Sequence, residues 1–480
     1  MPASTWTGGI LRGQSGRCPH KIARVYSRKM PPLVQGTNPD FPHMTHAVTM
    51  AVTLQQLRVM VHEPYQRLPR IHASPPARDR VDLQQFPAGG NLLHTVEWMW
   101  HACRTGIAVS IRSRMLELFV PFCNPDYVNT WSDKARADTP QVGLTADRWW
   151  ANGWTLCGDA VSEQLWGDQG VCAIQNMLMV ACERGEVGDC DFIINKRDSA
   201  CVRLDGCDAM NPMDPYQQPR PRPALVPVLS LYTGDQFADI AMPLPSDWHR
   251  LARGAFEGQK PLPPVELPRE VPWHEKTDCA IFRGSLTGAG GHAGTNQRIA
   301  LLHLHDRDHL DLRGTGASQR LRRCPLEKAV VIPHYGQLQV GRRNYMPLTE
   351  QQERYRYTVT VDGHSGADRL AALAGGGQCI LKVASPLHAL CPDTWASQRM
   401  HAWEHYLPVC RQMTDLRQRL QWAREHPDEC ARVRRNCATW AAGERAGVLQ
   451  WWVDCTQAIS RHLGTAGTCT GRAAAGSCPS

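Results

Sequence analysis

Short apolar runs alternate with segments of helical periodicity in the second half of the chain. Runs of this length, bounded by glycine and polar residues, are typical of buried strands. The runs lie at 279–282, 355–363, 378–383 and 405–409, and helical segments lie at 296–304 and 366–377. Strand–helix–strand alternation of this kind predicts an α/β fold with a doubly wound parallel sheet.

Two further patterns flank this region. Residues 171–185 predict a buried helix, and the apolar run 190–195 that follows Gly188 predicts a strand. After residue 413 the periodicity is helical throughout. One predicted helix has Thr414 as its N-cap and a face formed by Leu416, Leu420 and Ala423, a second has a face formed by Cys430, Val433, Cys437 and Trp440, and a third covers 447–463.

Composition divides the chain into segments. The first 80 residues contain many polar, basic, glycine and proline residues, so we expect a poorly structured N-terminal extension and linker. The proline-rich stretch 261–272 is typical of a connection between domains. We therefore predict Rossmann-like domains at 81–260 and 261–413, C-terminal helices at 414–463 and a flexible tail at 464–480.

The charge balance excludes little but favours small anionic partners. The chain has 480 residues and a formal net charge of +8, with the basic residues spread along its length. Such an excess fits an anionic small molecule as well as it fits nucleic acid. No zinc finger, basic-plus-heptad segment or aromatic RNA-binding signature is present, so we predict no nucleic-acid partner.

The cysteines and the N-terminus bear on the compartment. Nineteen cysteines occur without a Cys-x-x-Cys pair, which argues against a zinc ribbon or a thioredoxin-type motif. Disulfides and buried free thiols both remain open. We find no apolar stretch of signal-peptide or membrane-span length and no retention signal, so we expect a soluble chain without a transmembrane segment. Cytoplasm and secretory lumen both remain open.

Three polar clusters follow predicted strands. They are Arg283 with Ser285 and Thr287, the segment 362–369, and the segment 195–198. Ligands of open parallel sheets bind beyond the carboxyl ends of the strands. Two arginines there could hold a diphosphate, and Asp198 could face them across a cleft, which suits group transfer from a nucleotide donor. The alternative for Asp198 is an ordinary salt bridge with Arg197 or Arg203.

Short motifs follow one another in order around these clusters. They are DFIINKRD (191–198), FADIAMPLPSDW (237–248), FRGSLTG (282–288), NQR (296–298), YRYTVTVDGHSGADRLAALAGGGQCILKV (355–383), HYLPV (405–409) and TDLRQRLQWAREHPDECARV (414–433). Together they resemble the CAP-type, lipopolysaccharide-modifying glycosyltransferases of family 90. That family includes the Rumi-type protein O-glucosyltransferases and the fungal capsule xylosyltransferases. The resemblance runs from about residue 185 to 445.

This resemblance implies a GT-B fold, in which two Rossmann-like domains face a cleft. The first domain would take the acceptor and the second would bind a UDP-sugar, with glucose or xylose moved to a hydroxyl of a protein or glycan with inversion. Asp198 matches the family's catalytic base, and Arg283 and Arg369 match its diphosphate-neutralising arginines. Ser285, Asp362, Gly363 and Ser365 would line the nucleotide pocket, while Lys382 matches a family lysine to which we assign no role.

The resemblance leaves several alternatives open. It implies no tightly bound cofactor, and a magnesium or manganese ion is compatible with it but not required. DCD (189–191) and HLHDRDHLD (303–311) contain metal-ligand residue types, although we favour a strand flank and a solvated turn. Gln297 stands where the family usually has proline. The alternative function is a catalytically inactive GT-B-like module that binds carbohydrate or serves a structural role.

Overall fold

The computed structural model describes most of the chain after residue 52. The described residues are 53–69, 81–103, 105–123, 169–195, 197, 199–205, 223–252, 268–288, 292–306, 308–316, 322–323, 330–331, 338, 340–387, 389 and 391–469. All of them belong to one compact unit that begins at His46. None of the helices within these ranges is long and apolar enough to cross a membrane.

The first sheet is mixed. Its strands are β1 (Thr105–Arg112), β2 (Met115–Cys123), β3 (Cys190–Asn195), β4 (Val228–Ser230) and β5 (Ile240–Ala241), in the spatial order β2-β1-β3-β4-β5. β1 is antiparallel to both β2 and β3, whereas β3, β4 and β5 are parallel. Every residue of β1 and β3 is buried, so these strands form the centre of the sheet and its core.

The second sheet is wholly parallel. β6 (Thr277–Ser285) and β7 (Leu310–Gly316) are followed along the chain by a small two-stranded sheet of β8 (Arg322–Arg323) and β9 (Val330–Val331). The strands β10 (Tyr355–Thr360), β11 (Cys379–Val383) and β12 (Leu407–Val409) complete the order β12-β11-β10-β6-β7. The chain therefore moves outward from β6 in one direction and then returns to add β10 on its other side.

Nine α-helices and two short 3-10 helices, Trp273–Glu275 and Arg342–Asn344, occur within the described ranges. The α-helices are α1 (Leu54–Gln66), α2 (Leu92–Ala102), α3 (Gln169–Glu183), α4 (Pro245–Ala252), α5 (Gln297–Leu302), α6 (Leu348–Arg354), α7 (Leu370–Ala374), α8 (Leu416–Glu425) and α9 (Pro427–Cys469). α9 packs on both sheets. Cys430 and Val433 join the core of the second sheet, and Trp452 lies 6.2 Å from the Phe192 ring of β3.

The strands and several helices that the pattern predicts are confirmed. β3, β6, β10, β11 and β12 occupy the five predicted strand segments, and α3, α5, α7 and α8 occupy predicted helical segments. Both sheets are rich in parallel pairs, as the α/β prediction requires. The domain boundaries and the GT-B arrangement of the two sheets stay predictions.

Three details of the helices differ from the sequence-based expectation. The N-cap of α8 is Asp415 rather than Thr414, and its carboxylate does not cap the helix but accepts the backbone N–H of Cys410, in the preceding turn, at 2.8 Å. The second and third predicted helices are one continuous helix, α9. It extends to Cys469 and so includes the first residues of the predicted tail.

Part of the predicted N-terminal extension is also helical. In α1, the Thr53 hydroxyl accepts the backbone N–H of Gln56, and the Gln56 side chain accepts the backbone N–H of Thr53. This capping box satisfies two backbone donors that the helix start would otherwise leave open. The buried Leu57 and Val61 then give α1 an apolar face. The rest of the predicted extension and linker, residues 1–52 and 70–80, and residues 470–480 of the predicted tail lie outside the described residues.

Candidate functional site

The topology of the second sheet marks one edge as a ligand site. β6 and β10 are parallel neighbours, but the chain leaves β6 toward β7 and leaves β10 toward β11. Their carboxyl ends therefore form a topological switch point, where open α/β sheets leave a crevice for ligands. Residues 286–288 follow β6, and residues 361–369 follow β10. The two clusters that the sequence singled out in this half of the chain thus lie side by side.

Arg369 lies at this switch point. Its Nη1 atom donates a hydrogen bond to the backbone oxygen of Arg283, and its guanidinium carbon lies 5.9 Å from the centroid of the Phe282 ring. Burial lowers the pKa of Arg369. Within the described part of the chain no carboxylate forms an ion pair with it. The neighbouring Asp368 partly opposes the lowering of the pKa, and a half-buried guanidinium that forms no ion pair with a described carboxylate can still bind an anionic ligand.

Arg283 is placed differently. Its guanidinium donates to the carboxylate of Asp311 on β7, and its Nη1 atom also donates to the backbone oxygens of Phe282 and Asp311, at 2.9 Å and 2.6 Å. The Tyr355 hydroxyl donates to the same carboxylate at 3.0 Å. Burial opposes ionisation of Asp311, but the bonds from Arg283 and Tyr355 hold its pKa below the usual value. The predicted contact of Arg283 with a diphosphate stays a prediction.

A third arginine, which the sequence analysis quoted without a role, joins the two loops. Arg298 lies in the first turn of α5 and is buried. Its Nη1 atom donates to the Ser285 backbone oxygen at 2.8 Å and to the Thr287 hydroxyl at 2.7 Å, whereas its Nε and Nη2 atoms donate to the Val361 backbone oxygen at 3.3 Å and 3.1 Å. The signal that could have found it is its place in NQR directly after the β6 loop.

The carboxylate of Asp362 holds its own loop together. One oxygen accepts the backbone N–H of Ala367 at 2.9 Å, and the other accepts the hydroxyl of Ser385. The side chain of Gln297 donates to the backbone oxygens of Ala384 at 2.9 Å and Arg411 at 2.7 Å. The glutamine at 297 therefore fixes the segment that carries Ser385, and Asp362 shapes the loop from within.

Gly363 allows the two loops to approach each other. A Cβ atom there would lie 2.6 Å from the Thr287 hydroxyl oxygen and 3.1 Å from Nη2 of Arg298. We expect Gly363→Ala to lower the free energy of unfolding by about 1–3 kcal/mol, the usual cost of overpacking a well-packed region. Urea unfolding measures this change. The matched control is Gly443→Ala in α9, where nothing lies within 4 Å; an equal loss there would contradict the steric argument.

The remaining predicted pocket residues lie at the same edge. Ser285 ends β6 with its side chain exposed. Ser365 is buried, and its backbone oxygen accepts the N–H of Gly363 at 3.0 Å. Lys382 is the penultimate residue of β11, with its ammonium group 5.6 Å from the centroid of the Tyr406 ring. The structure thus brings all the predicted residues of the second sheet to one edge, although it engages Arg283 and Asp362 within the fold.

Asp198 itself lies outside the described residues, but both of its flanks are described. The Asn195 side chain accepts the backbone N–H of Arg197 at 3.1 Å and donates to the Ser199 backbone oxygen at 2.8 Å. The next residue, Ala200, donates its N–H to Cys391 Sγ at 3.3 Å. The Cys391 backbone oxygen accepts the N–H of Gly366 at 2.9 Å. The segment that follows Asp198 and the loop that carries Gly366 and Arg369 therefore both form hydrogen bonds with Cys391.

The two metal-like motifs have other partners. The carboxylate of Asp191 accepts hydrogen bonds from Tyr65 at 2.6 Å, from Ser110 and from Arg112 at 2.9 Å. Asp306 accepts the backbone N–H groups of the turn before β7, including that of Leu310 at 3.0 Å. Among the residues that the structure describes, no three His, Cys, Asp or Glu side chains group as metal ligands.

Comparison with known proteins places the chain among glycosyltransferases. The model of glycosyl transferase family 90 matches residues 169–457, more than half of the chain. Uncharacterized protein 035R of Invertebrate iridescent virus 3 is 31% identical over 382 residues, covering 71% of this chain and 34% of that protein. Uncharacterized protein 027R of Frog virus 3 is 28% identical, covering 77% of this chain and 42% of that protein.

A cellular relative carries a functional name. Human Protein O-glucosyltransferase 3 is 23% identical over 211 residues, covering 44% of this chain and 37% of that protein. The chain spans less than half the length of each of these relatives.

Proposed function

The chain belongs to glycosyl transferase family 90, and we propose that it is an inverting glycosyltransferase. The donor is a UDP-sugar, with glucose or xylose as the sugar, and the acceptor is a hydroxyl group of a protein or a glycan. The observation that carries this proposal is the place of Arg369 at the β6–β10 switch point, where its guanidinium bonds the backbone oxygen of Arg283 and forms no ion pair with a described carboxylate.

The second sheet would bind the diphosphate of the donor. Arg369 would neutralise charge on the diphosphate, which grows as the sugar leaves, and so would stabilise the transition state. Arg298 would act indirectly, because its donors are used to hold the ends of β6 and β10 together. The backbone oxygen of Arg283 would orient Arg369, while the guanidinium of Arg283 stays paired with Asp311. The hydroxyl of Ser285, at the exposed end of β6, would donate a hydrogen bond to the nucleotide.

The first sheet would supply the base. Asp198 would take the proton of the acceptor hydroxyl as that oxygen attacks the anomeric carbon of the sugar. Attack from the face opposite the leaving UDP inverts the configuration at that carbon. Ala200 and Gly366 both donate to Cys391, which supports a short distance between the base loop (residues 196–202) and the donor loop (residues 361–369).

An assay of donor hydrolysis tests this proposal. The purified protein is incubated with a panel of UDP-sugars without acceptor, and released UDP is measured with and without a chelator of divalent ions. Slow release from one donor would identify the sugar, and the chelator would report any metal requirement. UDP alone should raise the Tm, since a ligand at about 100 times its Kd stabilises by about 2.7 kcal/mol.

The outcomes separate the proposal from its rival. Stabilisation by UDP without hydrolysis would leave the acceptor as the missing component. If no donor is hydrolysed and UDP fails to stabilise the fold, the proposal is contradicted, and a carbohydrate-binding or structural module becomes the better account.

A further inference from the structure

We propose that Asp239 is a positioning residue that fixes the backbone on the C-terminal side of Asp198 in the orientation needed for proton transfer. Asp239 lies directly before β5, in the first sheet, and is buried. This role rests on the proposed function of Asp198 as the base. It deepens that function by naming the residues that orient the base loop.

The carboxylate of Asp239 points at backbone donors rather than at solvent. Oδ1 accepts the N–H of Cys201 at 2.9 Å, and Oδ2 accepts the N–H of Val202 at 2.6 Å. The hydroxyl of Ser230 donates to Oδ1 as well. Each carboxylate oxygen thus binds one of two consecutive amides, which fixes both the position and the direction of residues 201–202.

The same network reaches the other flank of Asp198. Asn195, the last residue of β3, donates from Nδ2 to the Ser230 hydroxyl at 2.9 Å and to the Ser199 backbone oxygen at 2.8 Å. Its Oδ1 atom accepts the N–H of Arg197. Ser230 therefore connects Asn195 to Asp239. The three side chains form one buried chain of hydrogen bonds that touches the backbone on both sides of residue 198.

Further hydrogen bonds connect the backbone at Asp239 to the second sheet. The Thr233 hydroxyl donates to the Asp239 backbone oxygen at 3.0 Å. Thr233 and Asp393 exchange two backbone hydrogen bonds of 2.9 Å and 3.0 Å. Asp393 follows Cys391, whose backbone oxygen accepts the N–H of Gly366 in the loop of Arg369. The backbone at Asp239 is thus connected through Thr233 and the segment 391–393 to the loop of Arg369.

Burying a carboxylate at position 239 costs free energy, and its hydrogen bonds to the backbone offset that cost. Burial raises the pKa of Asp239, although the bonds from Ser230, Val202 and Cys201 oppose that rise. A buried carboxylate is tolerated only where hydrogen bonds replace its water. An asparagine has one acceptor and one donor, so its amide would face a backbone N–H and lose one of the two backbone bonds.

The test compares Asp239→Asn and Ser230→Ala with a matched pair of controls. Ser110 on β1 donates to Asp191 in the same sheet, near the opposite end of β3. Ser110→Ala therefore removes the same type of buried contact as Ser230→Ala, near the opposite end of β3 from residue 198. Asp191→Asn changes a buried carboxylate that, unlike Asp239, is also paired with Arg112. For each variant we would measure UDP release per folded molecule, the Kd for UDP, the Tm, and amide hydrogen exchange of peptides covering 199–202.

We expect the two test variants to lower turnover roughly 10-fold or more, because displacements of about 1 Å at reacting groups have effects up to 10²-fold. The Kd for UDP should stay within about twofold of wild type, and exchange at 201–202 should accelerate. The two controls should lower the Tm without changing turnover per folded molecule. This separation of turnover from affinity is a result that a merely structural role would not produce.

Three results would overturn the role. They are unchanged turnover in the test variants, a parallel loss of UDP affinity, and controls that lose turnover to the same extent. If Asp239→Asn does not fold, Ser230→Ala decides alone, since it removes only one hydroxyl. A wild-type protein that neither binds UDP nor releases it from any donor would overturn the proposed function together with this role, whereas an active wild type with active variants would overturn the role alone.

Discussion

Asp198→Asn is expected to lower the rate of sugar transfer ~10²-fold or more, as removal of a general base does. Asparagine keeps the size and polarity of the side chain but cannot accept the proton of the acceptor hydroxyl. Binding of UDP should change by less than about twofold, because the contacts proposed for the diphosphate belong to the second sheet and are made before proton transfer. The expected signature is therefore a loss of turnover without a loss of donor affinity.

Single-turnover rates and the Kd for UDP measure these two quantities separately. The control is Asp205→Asn, which changes a partly exposed carboxylate that pairs with Arg203 in the same segment. That variant should keep the wild-type rate. Equal losses of affinity and rate in Asp198→Asn would instead indicate that the residue supports the fold of the loop, and another residue would then have to be the base.

The strands around the site were predictable because the information that specifies them is local. β3 and β6 each contain a short apolar run, at 192–194 and 279–282, that ends at polar residues, and such a run can be recognised without knowing its neighbours. The parallel order also follows from the alternation with helices. The switch point between β6 and β10 could therefore be approached from the sequence alone, together with the residues that follow each strand.

Side-chain partners were not predictable, because they come from distant parts of the chain. Arg283 lies near the carboxyl end of β6, but its guanidinium pairs with Asp311, which is 28 residues away in the chain. Arg298 belongs to the NQR motif, yet its role depends on the backbone oxygens of Ser285 and Val361, in two other segments. Asp239 lies directly before a two-residue strand, and its partners Val202 and Cys201 lie 37 and 38 residues away. Strand position alone does not tell which arginine is paired and which is left for a ligand.

The first sheet shows a similar limit. β1 and β2 form an antiparallel hairpin in which Ser113 and Arg114 have φ values of 50° and 65°. A two-residue turn with positive φ at both positions is usually marked by asparagine and glycine. Serine and arginine give no such signal, so the hairpin was not predicted. Its strands nevertheless complete the sheet that holds Asn195 and Asp239.

Arg369→Gln is expected to weaken UDP binding by about 1.5–3 kcal/mol, the usual range for a hydrogen bond to a charged group. Its effect on folding should have the opposite sign or be absent. In the wild-type fold the half-buried guanidinium donates to the Arg283 backbone oxygen but forms no ion pair with a described carboxylate, so removing its charge takes little stabilisation away and ends the cost of burying it. The Tm without ligand should therefore stay constant or rise, while the increase in Tm caused by UDP should shrink.

Arg283→Gln provides the contrast, because this arginine shares the same edge of β6 but has a carboxylate partner. Its loss would leave Asp311 with Arg313 and Tyr355 only, and we expect a destabilisation of about 3 kcal/mol, as for a broken buried ion pair. UDP affinity per folded molecule should fall less than in Arg369→Gln. Isothermal titration with UDP and urea unfolding of both variants test this reversal. If Arg283→Gln loses more affinity and less stability than Arg369→Gln, Arg283 is the arginine that contacts the diphosphate.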